Sequence, residues 1–334
     1  MQERDPVSET KDETETKPSP AFLNMPIVLF TSVLGVTGLG LAWREASYTF
    51  GVPGFFGETI IGFGAGLYVA ILALYILKVI NARDRVRAEL KDDVSINFLP
   101  AVTIGLMLVG IGAGPHLPAV GEVLWVVGTI GNILITLYVV AGFWFVHDHK
   151  LDRVTPAWFI PVIGNIVAPI GGSQFLYVDI SWMLYGISVF FWIILTTIVF
   201  NRLMFHEPMA AAARPTMFIL LAPPSLAFTA YVLLNGGYVD YFGQMLFGIA
   251  LLTVLMLATR VKDYLKSPFS LSWWAFTFPL DALAIATLLY HQHTFSTLTA
   301  ALSILCLAIT TIVVTIVTVR TVVAASKGEI LRPR

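Results

Sequence analysis

Ten apolar segments, each long enough to cross a bilayer as a helix, alternate with short polar loops along this sequence. They cover residues 22–43, 59–80, 97–114, 119–145, 157–173, 179–201, 215–235, 240–259, 269–290 and 295–319. A transmembrane helix needs ~20 mainly apolar residues. The chain is 57% hydrophobic and only 12% charged, whereas soluble domains carry about 25% charged residues. These features predict an all-α polytopic membrane protein with ten spans.

The distribution of Lys and Arg predicts the orientation of the chain. Cytoplasmic loops of membrane proteins carry an excess of these residues. With ten spans, all but Arg44 of the 20 basic residues fall on one side. We therefore expect both termini in the cytoplasm, most simply in a bacterial inner membrane. Residues 1–20 lack the basic and apolar regions of a cleavable signal peptide and are acidic, so a disordered tail is expected. The membrane domain then covers 21–322, and 323–334 form a short cytoplasmic tail.

Proline occurs inside or at the start of every odd-numbered segment and inside none of the even-numbered ones. The residues concerned are Pro26, Pro100, Pro161, Pro169, Pro223, Pro224 and Pro279. This is a weak repeat of roughly 60 residues, one helical hairpin each. Broken helices in membranes line cavities or pack within protein. The repeat predicts five odd helices around a central pathway and five even helices outside; the alternative is that proline merely kinks packed helices.

The ninth segment carries the residues that best fit a function. Phe278, Pro279 and Asp281 lie near the middle of 270–290, at about the midplane of the membrane. Trp274, Phe278, Asp281 and Ile285 share one face of a regular helix. An ionisable residue at this depth is a functional candidate. Asp281 is either a proton-coupling group or a buried acid that is neutral or bonded to neighbouring backbone.

Other chemical signatures are weak. The His-Asp-His run at 147–149 has poor ligand geometry and reads as a solvated loop, and His291 and His293 read as helix-end residues at the interface. The one cysteine, Cys306, excludes a disulfide or a cysteine-based metal site. No nucleophile, base and metal set points to an enzyme, and no cofactor is expected. The net charge of −1 argues against a nucleic-acid partner.

Several short motifs, taken together and in order, resemble the tellurite-resistance/dicarboxylate transporter family. Its members include bacterial TehA, fungal malate and sulfite transporters and the plant guard-cell slow anion channel. The matching pieces are Pro26 with G-L-G-L-A-W at 38–43, V-R-A-E-L at 86–90, V-G-T-I-G-N at 127–132, T-P-A-W-F-I-P-V-I-G-N at 155–165, R-P-T-M-F-I-L-L-A-P at 214–223 and W-A-F-T-F at 274–278. Each string is weak alone, but they span nearly the whole membrane domain.

The resemblance implies a pseudo-five-fold ring of helical hairpins around a pore, in a homotrimer with one pore per protomer. It also implies that Phe278 blocks the pore as a gate. Phe30 matches an aromatic residue of the first inner helix and is a second pore-lining candidate. The prolines Pro26, Pro100, Pro161, Pro223 and Pro279 are candidate hinge or lining positions. The sequence after the gate, Pro279 to Asp281, departs from TehA, which has neither proline nor acid there.

The function expected from these features is transport of small inorganic or organic anions through a pore gated by Phe278. Helix N-termini carry partial positive charge, so a pathway without fixed cations still favours anions. The alternative is a proton-coupled carrier of C4-dicarboxylate, sulfite or tellurite-type oxyanions, with Asp281 as the coupling acid. A structural or sensory membrane protein is a third class, but it would not require proline in all five hairpins.

Overall fold

The computed structural model describes residues 21–147 and 149–330, and within them ten helices are long and apolar enough to span a membrane. The ten predicted spans are confirmed. They are α1 (Ile27–Phe50), α2 (Phe55–Asn81), α3 (Ser95–Ala113), α4 (Pro118–Trp144), α5 (Pro156–Gln174), α6 (Val178–Phe205), α7 (Ala211–Leu234), α8 (Tyr241–Ala258), α9 (Leu271–Thr294) and α10 (Thr297–Ser326).

The odd-numbered spans form the inside of the bundle and the even-numbered spans its outside. In the most apolar stretch of each odd span, between 72% and 83% of residues are buried, against between 28% and 39% in the even spans. Each even span packs on the odd span before it, so each pair is a hairpin. The odd spans also contact one another in a closed cycle: α1 packs on α3, α3 on α5, α5 on α7, α7 on α9, and α9 on α1. The pseudo-five-fold symmetry of this arrangement stays a prediction.

Each odd span starts as a 3₁₀-helix and continues as an α-helix. The change occurs after Phe30 in α1, at Ala101 in α3, at Ala222 in α7 and at Thr277 in α9; α5 alternates between the two forms before its α-helical end. Pro100, Pro223 and Pro279 lie within two residues of these junctions, whereas Pro26 precedes the 3₁₀-helix of α1. Proline in a first α-helical turn removes an N–H that has no intrahelical acceptor there. The prolines therefore mark changes of helix type, and the expected broken helices are not seen in the described spans.

Four helices continue past the ends expected from hydropathy, α6 and α9 by four residues and α1 and α10 by seven. α1 extends to Phe50 instead of residue 43, and α10 to Ser326 instead of 319. The expected cytoplasmic tail at residues 1–20, and residues 331–334 of the C-terminal one, lie outside the described part. We call the end where the odd spans begin the basic end, because every described Lys and Arg except Arg44 lies towards it.

Candidate functional site

Two cavities follow one another along the centre of the bundle. The basic-end cavity measures about 60 Å³ and receives a side chain from each odd span, among them Thr31, Phe98, Phe159, Ala222 and Trp274. The opposite-end cavity measures about 460 Å³ and also receives residues from each odd span. Among described residues, all that line either cavity belong to odd spans or to the loops after them. The two cavities therefore form a pathway along the centre of the bundle. Odd spans form its wall, and the described residues of the even spans do not line it.

Phe278 and Leu226 are the residues that line both cavities. Phe278 comes from the second position of the α-helical part of α9, and Leu226 from the first turns of the α-helical part of α7. The two apolar side chains thus separate the cavities. The residues expected to share one face of α9 all line these cavities. Trp274 lines the basic-end cavity, while Asp281 and Ile285 line the opposite one.

Gly38 of α1 allows α9 to lie close to α1 at this level. A methyl group at Gly38 would lie 3.1 Å from Phe278 Cδ2 and 2.8 Å from Asp281 Oδ2. Carbon atoms in favourable contact are ≈ 3.5–4.0 Å apart. The position of the Phe278 ring therefore depends on the absence of a side chain at Gly38.

Asp281 is fully buried one helical turn beyond Phe278. Its Oδ1 accepts a hydrogen bond of 2.6 Å from the Thr310 hydroxyl of α10. Its Oδ2 has no hydrogen-bond partner among the described residues, and none of the ion pairs found there involves this carboxyl. The carboxyl thus has one bonded oxygen and one unsatisfied oxygen beside the constriction.

Charged residues of α1 line the opposite-end cavity. The Arg44 guanidinium pairs with Glu58 of α2 at 2.6 Å and donates to the Gly112 carbonyl of α3 at 2.7 Å. Glu45 accepts a hydrogen bond of 2.6 Å from the Gln292 amide of α9. Arg44 is the one described Lys or Arg at this end. The expectation of a pathway without fixed cations is therefore wrong for this cavity, although Glu58 pairs with Arg44.

A family model described as SLAC1, voltage-dependent anion channel, matches residues 24–322. The chain belongs to this family. The resemblance to the tellurite-resistance/dicarboxylate transporters is thereby confirmed, and the family consists of channels and transporters.

Relatives in the SLAC1 family come from bacteria, archaea and plants. The chain is 25% identical to the tellurite resistance protein TehA homolog of Haemophilus influenzae, over 94% of each chain. It is 32% identical to the uncharacterized transporter MJ0576 of Methanocaldococcus jannaschii, over 70% of this chain and 74% of that one. It is 28% identical to the S-type anion channel SLAH3 of Arabidopsis thaliana over 92% of this chain, and it spans only 49% of that plant protein.

The structure places several predicted site residues away from the two cavities. Phe30 is fully buried and packs edge-on against Tyr68 and Tyr75 of α2, with ring centroids 6.1 and 5.7 Å apart. It does not line either cavity. Of the candidate prolines, Pro223 and Pro279 line the basic-end cavity, whereas Pro26, Pro100 and Pro161 do not.

The histidine pairs lie at the ends of spans, outside the two cavities. His147 and His149 both lie within hydrogen-bond distance of the Phe143 carbonyl oxygen, at 3.1 and 3.3 Å. Asp148 is outside the described residues. Among those that are described, no three potential ligands come close enough together to hold a metal ion.

The V-R-A-E-L motif has a structural role that sequence reasoning missed. It lies on a short helix, Arg83–Lys91, that follows α2. Glu89 pairs with Lys78 at 2.6 Å, and its other oxygen accepts the Ile27 backbone N–H at 2.6 Å. Glu89 therefore ties the connector to the start of α1 at the basic end.

The two motifs that end in Asn meet inside the bundle. The Asn132 amide of α4 donates to Asn165 Oδ1 of α5 at 2.8 Å, and the Asn165 amide donates to the Thr136 hydroxyl at 2.9 Å. Thr136 in turn donates to the Pro161 carbonyl oxygen at 2.6 Å. This buried cluster bonds the irregular part of α5, where Gly164 lines the basic-end cavity. The motif at 127–132, which ends in Asn132, thus holds the motif at 155–165 in its position beside the basic-end cavity.

Proposed function

We propose that this protein conducts small anions across the membrane along the axis of the odd spans, with Phe278 as the gate. The observation that carries the proposal is the position of Phe278 and Leu226 between two axial cavities. Family membership and relatives named as anion channels support the same reading. Leu226 then forms the apolar surface against which the Phe278 ring closes.

The lining of the basic-end cavity suits an anion pathway. Among the described residues, those that line this cavity are almost all apolar, and none of them carries a charge. No acidic side chain is therefore present there to repel an anion. A lining of this kind binds ions loosely, and loose binding suits conduction.

The test is the current carried by Phe278→Ala in planar bilayers, with chloride and nitrate on the two sides. Removing the ring joins the two cavities, so we expect an anion-selective current where the unmodified protein is nearly silent. The matched control is Phe276→Ala, because Phe276 belongs to the same motif but packs away from the axis, 4.9 Å from the ring of Phe218. Equal currents from the two variants, or none from Phe278→Ala, would refute the gate.

A second candidate function is a proton-coupled anion carrier, and the unsatisfied Oδ2 of Asp281 favours it. A carboxyl that lines a cavity beside the constriction is placed to exchange a proton. Anion passage next to this group requires its neutral form, since an ionised carboxylate would repel the substrate. Asp281→Asn separates the two functions. A carrier would lose uptake driven by a proton gradient, whereas a channel would keep its current.

The arrangement in the cell follows from the charge distribution and the family resemblance. We propose both termini in the cytoplasm of a bacterial inner membrane, since the basic end carries nearly all Lys and Arg. We propose a homotrimer with one pathway per protomer, on the resemblance alone. Reporter fusions at the C-terminus test the first statement, and the mass of the solubilised complex tests the second.

A further inference from the structure

An apolar crevice lies behind α9, on the side away from the two axial cavities. It measures about 280 Å³. α9 lines its floor with Phe276, Leu280 and Leu283, while Val254 of α8 and Val313 of α10 lie on its walls. We call it the α8–α10 crevice. No residue that lines it also lines either axial cavity, so it is separate from the proposed anion pathway.

The crevice opens towards the lipid-facing surface of the bundle. Ile309 and Ile316 of α10 line it, and they are 40% and 46% exposed. At this depth the surroundings of a membrane protein are hydrocarbon, and a polar occupant would find no partners on these apolar walls. An empty crevice would leave the lining side chains without dispersion contacts on one side. A hydrocarbon chain is the occupant that this chemistry fits.

The length of the crevice matches one leaflet of a bilayer. It extends along α9 from Trp273 to Leu283, which is roughly 15 Å at ~1.5 Å per residue. The hydrocarbon core is ~30 Å thick, so this is the depth of one leaflet. Trp273 and Tyr264 line its basic end, and aromatic residues of this kind are enriched at the membrane interface.

The loop at that end provides charge for a headgroup. Lys262 and Lys266 flank Tyr264 and are exposed, while Arg260 is paired with Asp263 at 2.6 Å. Basic residues next to a span attract the phosphates of lipid headgroups. We propose that the α8–α10 crevice binds one acyl chain of a phospholipid whose headgroup lies at the basic end, beside Lys262 and Lys266.

Such a chain would lie directly behind the helix that carries Phe278. Leu280 and Leu283 face the crevice, and Phe278 faces the axis. Occupancy would therefore limit how far α9 can move backwards. This consequence rests on the proposed gate, whereas binding of the chain does not, so the test below measures binding alone.

The test fills the crevice with larger side chains and measures how many phospholipid molecules stay bound to the protein. Val254→Phe with Val313→Phe places two rings inside it, and the control pair Leu255→Phe with Ile312→Phe places them on the neighbouring outward positions, 64% and 58% exposed. Each full-length variant is purified in detergent with phosphatidylglycerol and measured by native mass spectrometry. We expect the filled variant to lose one tightly bound phospholipid per protomer, and the control pair to retain it.

A second measurement leaves Val254 and Val313 in place, so it tests the proposal even where the filled variant fails to fold. The protein is reconstituted in phosphatidylglycerol vesicles whose chains carry bromine near the headgroup, which quenches tryptophan on contact. The fluorescence that is lost in Trp273→Phe is the contribution of Trp273 to the total emission. Trp182→Phe gives the contribution of Trp182 in the same way; Trp182 lies on the outer surface of α6 and is 37% exposed. We expect stronger quenching of Trp273 than of Trp182, persisting when unbrominated lipid is added in excess.

Three results would overturn the proposal. The first is a filled variant that retains as much phospholipid as the control pair. The second is Trp273 emission that brominated chains leave unchanged. The third is a crevice covered by another copy of the protein, which would appear as efficient cross-linking between cysteines placed at Ile309 and Ile316 of two protomers.

Discussion

Glu89 connects three separate parts of the chain, and its removal should destabilise the protein strongly. Its carboxylate pairs with Lys78 at 2.6 Å and accepts hydrogen bonds from the Tyr75 hydroxyl at 3.1 Å and the Ile27 N–H at 2.6 Å. The side chains of Lys78 and Glu89 are only 4% and 11% exposed. In Glu89→Ala, the Lys78 ammonium keeps the Met25 carbonyl oxygen, 2.8 Å away, as its acceptor, and the Ile27 N–H loses its partner.

Breaking a buried ion pair from one side costs about 3–5 kcal/mol, because an uncompensated charge stays buried. For a chain of this size that corresponds to a fall of roughly 4–7 °C in the thermal midpoint. Tryptophan fluorescence during heating in detergent measures it. Removing both charges in Glu89→Ala with Lys78→Met should restore part of the loss, since no buried charge is left unpaired. The difference is the coupling energy of a double-mutant cycle.

The matched control is Asp84→Ala on the same connector helix. Asp84 is 97% exposed and pairs with Arg87 at 3.4 Å, and exposed pairs of this kind contribute little to stability. We expect its midpoint to stay close to that of the unmodified protein. A Glu89→Ala midpoint equal to that of Asp84→Ala would refute the reasoning, as would a double variant less stable than Glu89→Ala alone.

Two further substitutions test the constriction and the cluster that supports it. Gly38→Ala places a methyl group 3.1 Å from Phe278 Cδ2 and 2.8 Å from Asp281 Oδ2, so the ring must move and a current should appear in planar bilayers without any change at Phe278. Asn132→Ala removes the amide that donates to Asn165. It should lower the free energy of unfolding by about 0.6–2 kcal/mol, the range found for hydrogen bonds between membrane helices, as measured by thermal unfolding in detergent.

Both predictions have controls on the outer surface. Gly62→Ala should leave the current unchanged, because no atom lies within 4 Å of the position of its methyl group. Asn81→Ala should leave the midpoint unchanged, because Asn81 is exposed and donates only to the carbonyl oxygen of Leu77. A Gly38→Ala protein as silent as Gly62→Ala, or an Asn132→Ala protein as stable as Asn81→Ala, would contradict them.

The sequence was sufficient to predict the ten spans and the inner position of the odd ones, because hydropathy and proline placement are local properties. It was not sufficient for the end of α1. The prediction stopped at residue 43 because Arg44 and Glu45 are charged. The helix continues because Arg44 pairs with Glu58 and Glu45 bonds with Gln292. Gln292 lies 247 positions from Glu45 in the sequence, and only the tertiary fold brings such partners together.

Only part of the candidate site could be predicted, because the tertiary fold decides which of its side chains meet. Phe278 was identified from a motif and its depth, and it lies on the axis, although its role as a gate stays a prediction. Leu226 was not identified, since one leucine in an apolar helix carries no signal. Phe30 also fits an inner helix, but it faces Tyr68 and Tyr75 of the partner helix in its hairpin. Which face of an inner helix meets the axis depends on packing around the whole cycle.

The closed cycle of the inner helices limits how the proposed gate at Phe278 would open. Each odd span is held between two neighbours, so sliding one helix out of the cycle would disrupt two interfaces at once. Rotation of a single accessible side chain takes picoseconds to nanoseconds, whereas collective helix movements take microseconds to milliseconds. If Phe278 alone moved, openings would be too brief to resolve in a current record. Openings that last milliseconds would therefore report a displacement of α9, the helix with a crevice behind it.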